Sequence, residues 1–162
     1  MKNREEDLFV PVTASDTLYV KRIRHPQHDG QPVLMVHGVM ANGRIFYSDS
    51  GKGLAHYLAR HGYDVYVADL RGRGRSTPRI SRHARHGQTE IIREDLPALH
   101  AAVRQLSGGQ AVHWMAHSWG GVHMNSALLY RPELIAEVAS LVYFGSKRSV
   151  RARNLNKLLE VD

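Results

Sequence analysis

The sequence predicts an α/β fold, a mostly parallel sheet with flanking helices, and three observations carry that expectation. Short apolar runs of strand length alternate with longer stretches whose apolar residues recur at helical spacing. Glycine and proline punctuate the boundaries between the two kinds of segment. No internal repeat, low-complexity stretch or Pro/Gly-rich linker divides the chain, so one core is expected.

The elements follow in order. TLYVKRI (17–23) alternates as a half-buried strand should, and HPQHDGQP separates it from VLMVH (33–37), an apolar run suited to a sheet covered on both faces. A glycine-containing loop leads to GLAHYLARHG (53–62), which spaces Leu54, Tyr57, Leu58 and His61 along one helical face and stops at Gly62. DVYVADL (64–70) is the next buried strand. Residues 88–106 place Ile91, Ile92, Leu96, Leu99, Val103 and Leu106 at helical spacing, with Pro97 predicting a kink or a late start to the regular helix. AVHWMAH (111–117) is a strand, VHMNSALLYR (122–131) a helix stopped by Pro132, and VASLVYF (138–144) the last strand. Such alternation implies right-handed crossovers, and ligands sit beyond the carboxyl ends of the strands. Three loops are thereby singled out: HGVMANG, DLRGRGRS and AHSWGG.

Composition narrows the chemistry. Without cysteine there is no disulfide, thiolate zinc site or cysteine nucleophile, which leaves hydroxyl, carboxylate and imidazole groups. The opening MKNREEDLF lacks the apolar core of a secretory signal, and no apolar run approaches the roughly 18 residues of a membrane span. A cytoplasmic protein is expected. The formal charge of +7 is concentrated in RGRGR (71–75), RISRHARH (79–86) and KRSVRARNLNK (147–157). No nucleic-acid-binding motif accompanies these clusters, so no nucleic-acid partner is expected. Among eleven histidines, His83 with His86 and His25 with His28 are close in sequence, but neither pair has a carboxylate arrangement or H-E-x-x-H spacing. No metal and no cofactor are expected, and the G-x-G of Gly72 and Gly74, with no helix opening directly after it, is no dinucleotide site.

AHSWGG is the most informative segment, because a serine flanked by small residues between a strand and a helix meets the demands of a nucleophile elbow. Any large side chain two positions before or after the serine would collide with the neighbouring strand or helix, and Ala116 and Gly120 satisfy that demand. Ser118 at the helix start also aims backbone N–H groups at an oxyanion formed there. On this motif alone, a tight turn with an idle serine is an equal reading. His37 and Gly38 end the strand expected beside the elbow, and the loop they open is where this architecture draws its second oxyanion donor. Gly38 lets the backbone approach, so the N–H of Val39, or failing that of Met40, would join that of Trp119.

The succession VLMVHG, GLAHYLARHGYDVYVADLRGRGRS, EDLPALHAAV and HWMAHSWGG resembles the core segments of the α/β-hydrolase superfamily from Leu18 to Ser146. The stretch GLAHYLARHGYDVYVADLRGRG is also similar to the corresponding region of acid lipases. The resemblance implies a serine esterase or lipase-like enzyme acting on a small ester or lipid-like substrate, with Ser118 as nucleophile and Val39 and Trp119 as oxyanion donors. His37, Gly38, Met40, His117 and Gly120 would support those loops. Asp69 and Arg71 match a structural turn of the family.

In that family the order is nucleophile, acid, histidine, with the acid after the sixth or seventh strand and the histidine after the eighth. The sequence is therefore expected to hold an α/β-hydrolase core truncated after about the sixth strand, with residues 1–146 its N-terminal part. GSKRS at the exit of the last strand offers no acid; His117 abuts Ser118, and His123 lies on the next helix, neither placed to take its proton. The tail (147–162) would begin a cap or lid, or be a helix shielding the sheet edge; a basic helix on a membrane surface is a third reading. The bare last strand would invite pairing with another copy of the chain. A non-catalytic fragment or ligand-binding module is the rival to the enzyme.

Overall fold

The computed structural model describes residues 2–27, 30–147 and 149. Its strands are β1 (Arg4–Pro11), β2 (Thr17–Arg24), β3 (Pro32–Val36), β4 (Asp64–Ala68), β5 (Val112–His117) and β6 (Val138–Phe144). They form one sheet in the order β1-β2-β4-β3-β5-β6. β4, β3, β5 and β6 run parallel, while β1 and β2 pair antiparallel at one edge. The helices are α1 (Leu54–Arg60), α2 (Gln88–Glu90), α3 (Leu96–Leu106) and α4 (Trp119–Tyr130). No helix among the described residues is long and apolar enough to cross a membrane. The amphipathic tail from Val150 onward and His28 lie outside the described residues.

All five residues of β3 are buried, as a strand covered on both faces requires. Because side chains alternate, Leu34 and Val36 join the core under α3 and α4, whereas Val33 and Met35 join the one under α1. The chain passes from β3 to β4 on one side and then crosses back to β5 on the other. The loops after β3 and β5 therefore meet where the strand order reverses, the crevice in which such sheets bind ligands.

Three local expectations need correction. β1 is an added strand; its charges conceal it, because Glu6 pairs with Arg22 and Arg24, and Asp7 with Lys21, only across the β1–β2 ladder. The acidic run opposite alternating basic residues in β2 was the available signal. On α1 the buried face is Ala55, His56 and Ala59, while Tyr57 and His61 face solvent and stack at 4.2 Å. Small residues let that helix lie close to the sheet. α4 starts at Trp119, not Val122, with Gly120 and Gly121 inside it.

Pro97 acts as a late start. It occupies the first turn of α3, where a missing N–H breaks no intrahelical bond, and Ile91–Asp95 before it is a π-helical stretch.

Candidate active site

Ser118 stands between the end of β5 and the start of α4 with φ 52° and ψ −124°. It is the one non-glycine residue with positive φ among the described residues. A conformation so sparsely populated persists only where its surroundings impose it. Here the Ser118 N–H donates to the Phe144 carbonyl of β6 at 2.8 Å, and the Ser118 carbonyl accepts from the Gly121 N–H at 3.1 Å. Ala116 is fully buried beneath it. Gly120 packs against the carbonyls of Val36 and His37, so closely that a Cβ there would lie within 2.7 Å of both oxygens.

The β3 loop reaches the serine through Gly38, where an added Cβ would lie 3.0 Å from Ser118 Cβ. His37, fully buried, steadies this loop from below. Its Nε2 accepts the Leu70 N–H at 3.0 Å, so Nδ1 carries the proton and donates to the Gly38 carbonyl at 2.7 Å. Burial holds its pKa below the usual imidazole value, which keeps the ring neutral in this role. Val39 and Met40 follow, 42% and 85% exposed, and no hydrogen bond from the Val39 N–H is seen among the described residues. The Trp119 N–H opens α4, where no intrahelical acceptor can reach it. Gly38 thus packs on Ser118, and Gly120 at the start of α4 packs on the end of β3.

His117 and His123 both stay near this contact: His117 Nδ1 lies 3.4 Å from where a Cβ on Gly38 would stand, and the His123 ring centroid is 6.1 Å from that of Trp119. His117 is exposed at the end of β5 and borders a cavity of about 350 Å³ with Ile45, Phe46, Leu54 and Phe144. His123 is buried in α4. Among the described residues, no imidazole or carboxylate hydrogen-bonds the Ser118 hydroxyl.

DLRGRGRS builds the third loop. Asp69 accepts the Gly43 N–H at 2.7 Å and the Arg75 N–H at 2.8 Å, and a Cβ on Gly74 would strike its carboxylate at 1.8 Å. The buried Arg71 pairs with Asp95 at 2.7 Å, Glu94 at 2.7 Å and Asp16 at 3.0 Å. Both residues hold the loop through these partners. Asp95 could not be recognised in the sequence as a buried ion-pair partner, because its burial depends on the π-helical stretch.

Comparison with known proteins agrees with this geometry. The family model described as the alpha/beta hydrolase fold matches residues 31–152. Lipase 1 of Drosophila melanogaster is 28% identical over 137 residues, covering 80% of this chain and 31% of that protein. A triacylglycerol lipase of Vibrio cholerae is 28% identical over 110 residues, covering 68% of this chain and 31% of that protein. Among solved structures, the thioesterase domain from the curacin biosynthetic pathway superposes with a TM-score of 0.62 at 20% identity, over 97% of this chain and 52% of that one. At that identity the likeness is one of fold. The chain spans about a third of the length of these lipases. A family match across most of the chain, on a sheet that brings the β3 loop to a strained serine at the β5–α4 turn, establishes that this chain belongs to the α/β-hydrolase family.

Proposed function

We propose that the chain carries the nucleophile and oxyanion half of a serine hydrolase acting on carboxylic esters. The observation that supports this reading is the positive φ of Ser118, a strained conformation retained at the strand-to-helix turn opposite the Gly38 loop. In the proposed reaction Ser118 Oγ bonds to the ester carbonyl carbon and the negative oxygen is held by the N–H groups of Val39 and Trp119. The serine proton passes to a base, the alcohol leaves with a proton, and water then hydrolyses the acyl-serine ester. His37, Gly38, Met40, His117 and Gly120 shape the two loops. The lipase names of the relatives favour a small ester or lipid-like substrate. The base and its acid partner would come from outside residues 1–162, and the open edge of β6 is where a further strand would pair, from elsewhere in a longer protein or from a second copy.

Fluorophosphonate labelling tests the reading. Intact mass of the treated chain should show one stoichiometric adduct where a longer protein or a second copy supplies the base, absent from Ser118→Ala. A folded chain that takes no adduct even with the rest of a longer protein present would overturn the reading. A second reading, a non-catalytic binding module, draws on one observation: the Ser118 hydroxyl has no imidazole partner among the described residues. It predicts no adduct even when the rest of a longer protein is present.

A further inference from the structure

The segment 71–87 reads RGRGRSTPRISRHARHG, with six arginines and no aspartate or glutamate. Two of the six are engaged in the fold: Arg71 pairs with Asp16, Glu94 and Asp95, and Arg75 pairs with Asp7. The other four, Arg73, Arg79, Arg82 and Arg85, have no carboxylate partner among the described residues. Arg73 is half-buried and the remaining three are exposed. Like charges gathered without counter-charges repel one another, so they favour an anionic partner that relieves the repulsion.

The segment is folded against itself and against the site loops. Gly72 and Arg79 form a parallel β-bridge, and a Cβ on Gly72 would lie 2.9 Å from His86 Cε1 and 3.7 Å from Ile80 Cβ. The Ala84 N–H donates to the Ser81 carbonyl at 3.0 Å, closing the turn that presents Arg82 and Arg85. Val39 lines one cavity with Arg73, Ile80 and His86, and Met40 lines a second with Arg73 and Ile45. The unpaired arginines therefore stand beside protruding aliphatic side chains, Met40 at 85% exposure and Ile80 at 62%.

That combination selects the partner. Guanidinium groups gain from the negative potential of an anionic leaflet, while aliphatic side chains between them enter the boundary of headgroup and acyl chain. A single-stranded nucleic acid would call for aromatic stacking platforms, and 71–87 contains no Phe, Tyr or Trp. Exposed Met40 and Ile80 would gain nothing from a free anion in solution.

We propose that segment 71–87, together with Met40, is a docking face for anionic lipid surfaces, on which the chain sits peripherally. Docking stands on the charge and exposure of these loops alone. Its consequence, that Ser118 is carried to esters held at such a surface, rests on the nucleophile reading above.

The experiment sediments the full chain with sucrose-loaded vesicles of equimolar phosphatidylserine and phosphatidylcholine, and with vesicles of phosphatidylcholine alone. One arginine near an anionic leaflet contributes roughly fivefold to partitioning. The chain should therefore prefer the charged vesicles, and added salt should release it by screening. Arg79→Gln, Arg82→Gln and Arg85→Gln combined should weaken binding on the order of a hundredfold. The melting temperature should stay unchanged, because these exposed side chains have no carboxylate to lose. Arg79→Lys, Arg82→Lys and Arg85→Lys combined should keep most of the binding, since the surface potential reads charge. Ile80→Ser should weaken it roughly tenfold through lost apolar burial and leave the salt dependence as it is. Equal binding to both vesicle types, parental binding by the glutamine variant, or loss of binding in the lysine variant would each overturn the proposal. So would tighter binding to a single-stranded oligonucleotide than to charged vesicles of equal phosphate content. Fluorophosphonate labelling reports separately on Ser118: a chain that docks without labelling sinks the nucleophile reading alone, and one that labels without docking sinks this face alone.

Discussion

Gly120 touches His37 backbone to backbone: a Cβ on the glycine would lie 2.6 Å from the histidine's carbonyl oxygen. The first turn of α4 is thereby seated on the end of β3, and this contact brings the Gly38 loop against Ser118. Gly120→Ala must push strand and helix apart. It should lower stability by about 1–3 kcal/mol, the usual cost of overpacking a close contact, measured as a shift in the urea midpoint at constant slope. Unchanged stability would mean that the elbow gives way without cost.

Ser118 offers the opposite case. Its φ of 52° is tolerated better by glycine than by any side-chain-bearing residue. Ser118→Gly should therefore raise stability by about 1 kcal/mol through relief of backbone strain, whereas Ser118→Ala, which keeps a Cβ, should not. Thermal denaturation of both variants beside the parent chain distinguishes them, and equal gains would remove strain as the cause.

Arg71 and Asp95 form a buried pair, with the carboxylate fully inaccessible. Burial pushes the Asp95 carboxyl upward in pKa even with the guanidinium beside it. Arg71→Met leaves that carboxyl uncompensated and should cost about 3–5 kcal/mol at pH 7. The deficit should shrink on acidification toward pH 5, because a protonated Asp95 needs no cation. Arg71→Met with Asp95→Leu should recover much of the loss, and a double variant no better than the single one would contradict this account.

Three buried histidines set the acid limit of stability. His37, His100 and His123 all have pKa values lowered by burial, although His100 donates to Glu137 at 3.0 Å. Each is neutral when folded and binds a proton more readily when unfolded. Their contribution is therefore intact above the unfolded imidazole value near 6.5 and is lost as pH falls below it, toward each folded value. Urea unfolding between pH 7.5 and 5 should show stability falling by up to about 1.4 kcal/mol per pH unit for each such group. His123→Leu should flatten part of that slope, and an unchanged slope would show that His123 is not among the groups responsible.

The sequence alone determined the alternation of strands and helices from Thr17 to Phe144, a break at Pro97 read as a kink or a late start, and the placing of Ser118 between a strand and a helix and of Gly38 in the loop after β3. These are short-range features: two-residue and 3.6-residue periods, and a small residue on each side of a turn, are written in neighbouring positions. Tertiary structure decided the rest. β1 became a strand because Glu6 and Asp7 meet Arg22 and Lys21 across a ladder, and the buried face of α1 went to alanines because the sheet lies so close. Arg71 found Asp16 across 55 positions. His123 came to line a cavity without a partner only when α4, the β3 loop and the segment around His86 were brought together. Such partners are far apart along the chain, so the free energy of their meeting depends on the packed fold and leaves no local pattern to find.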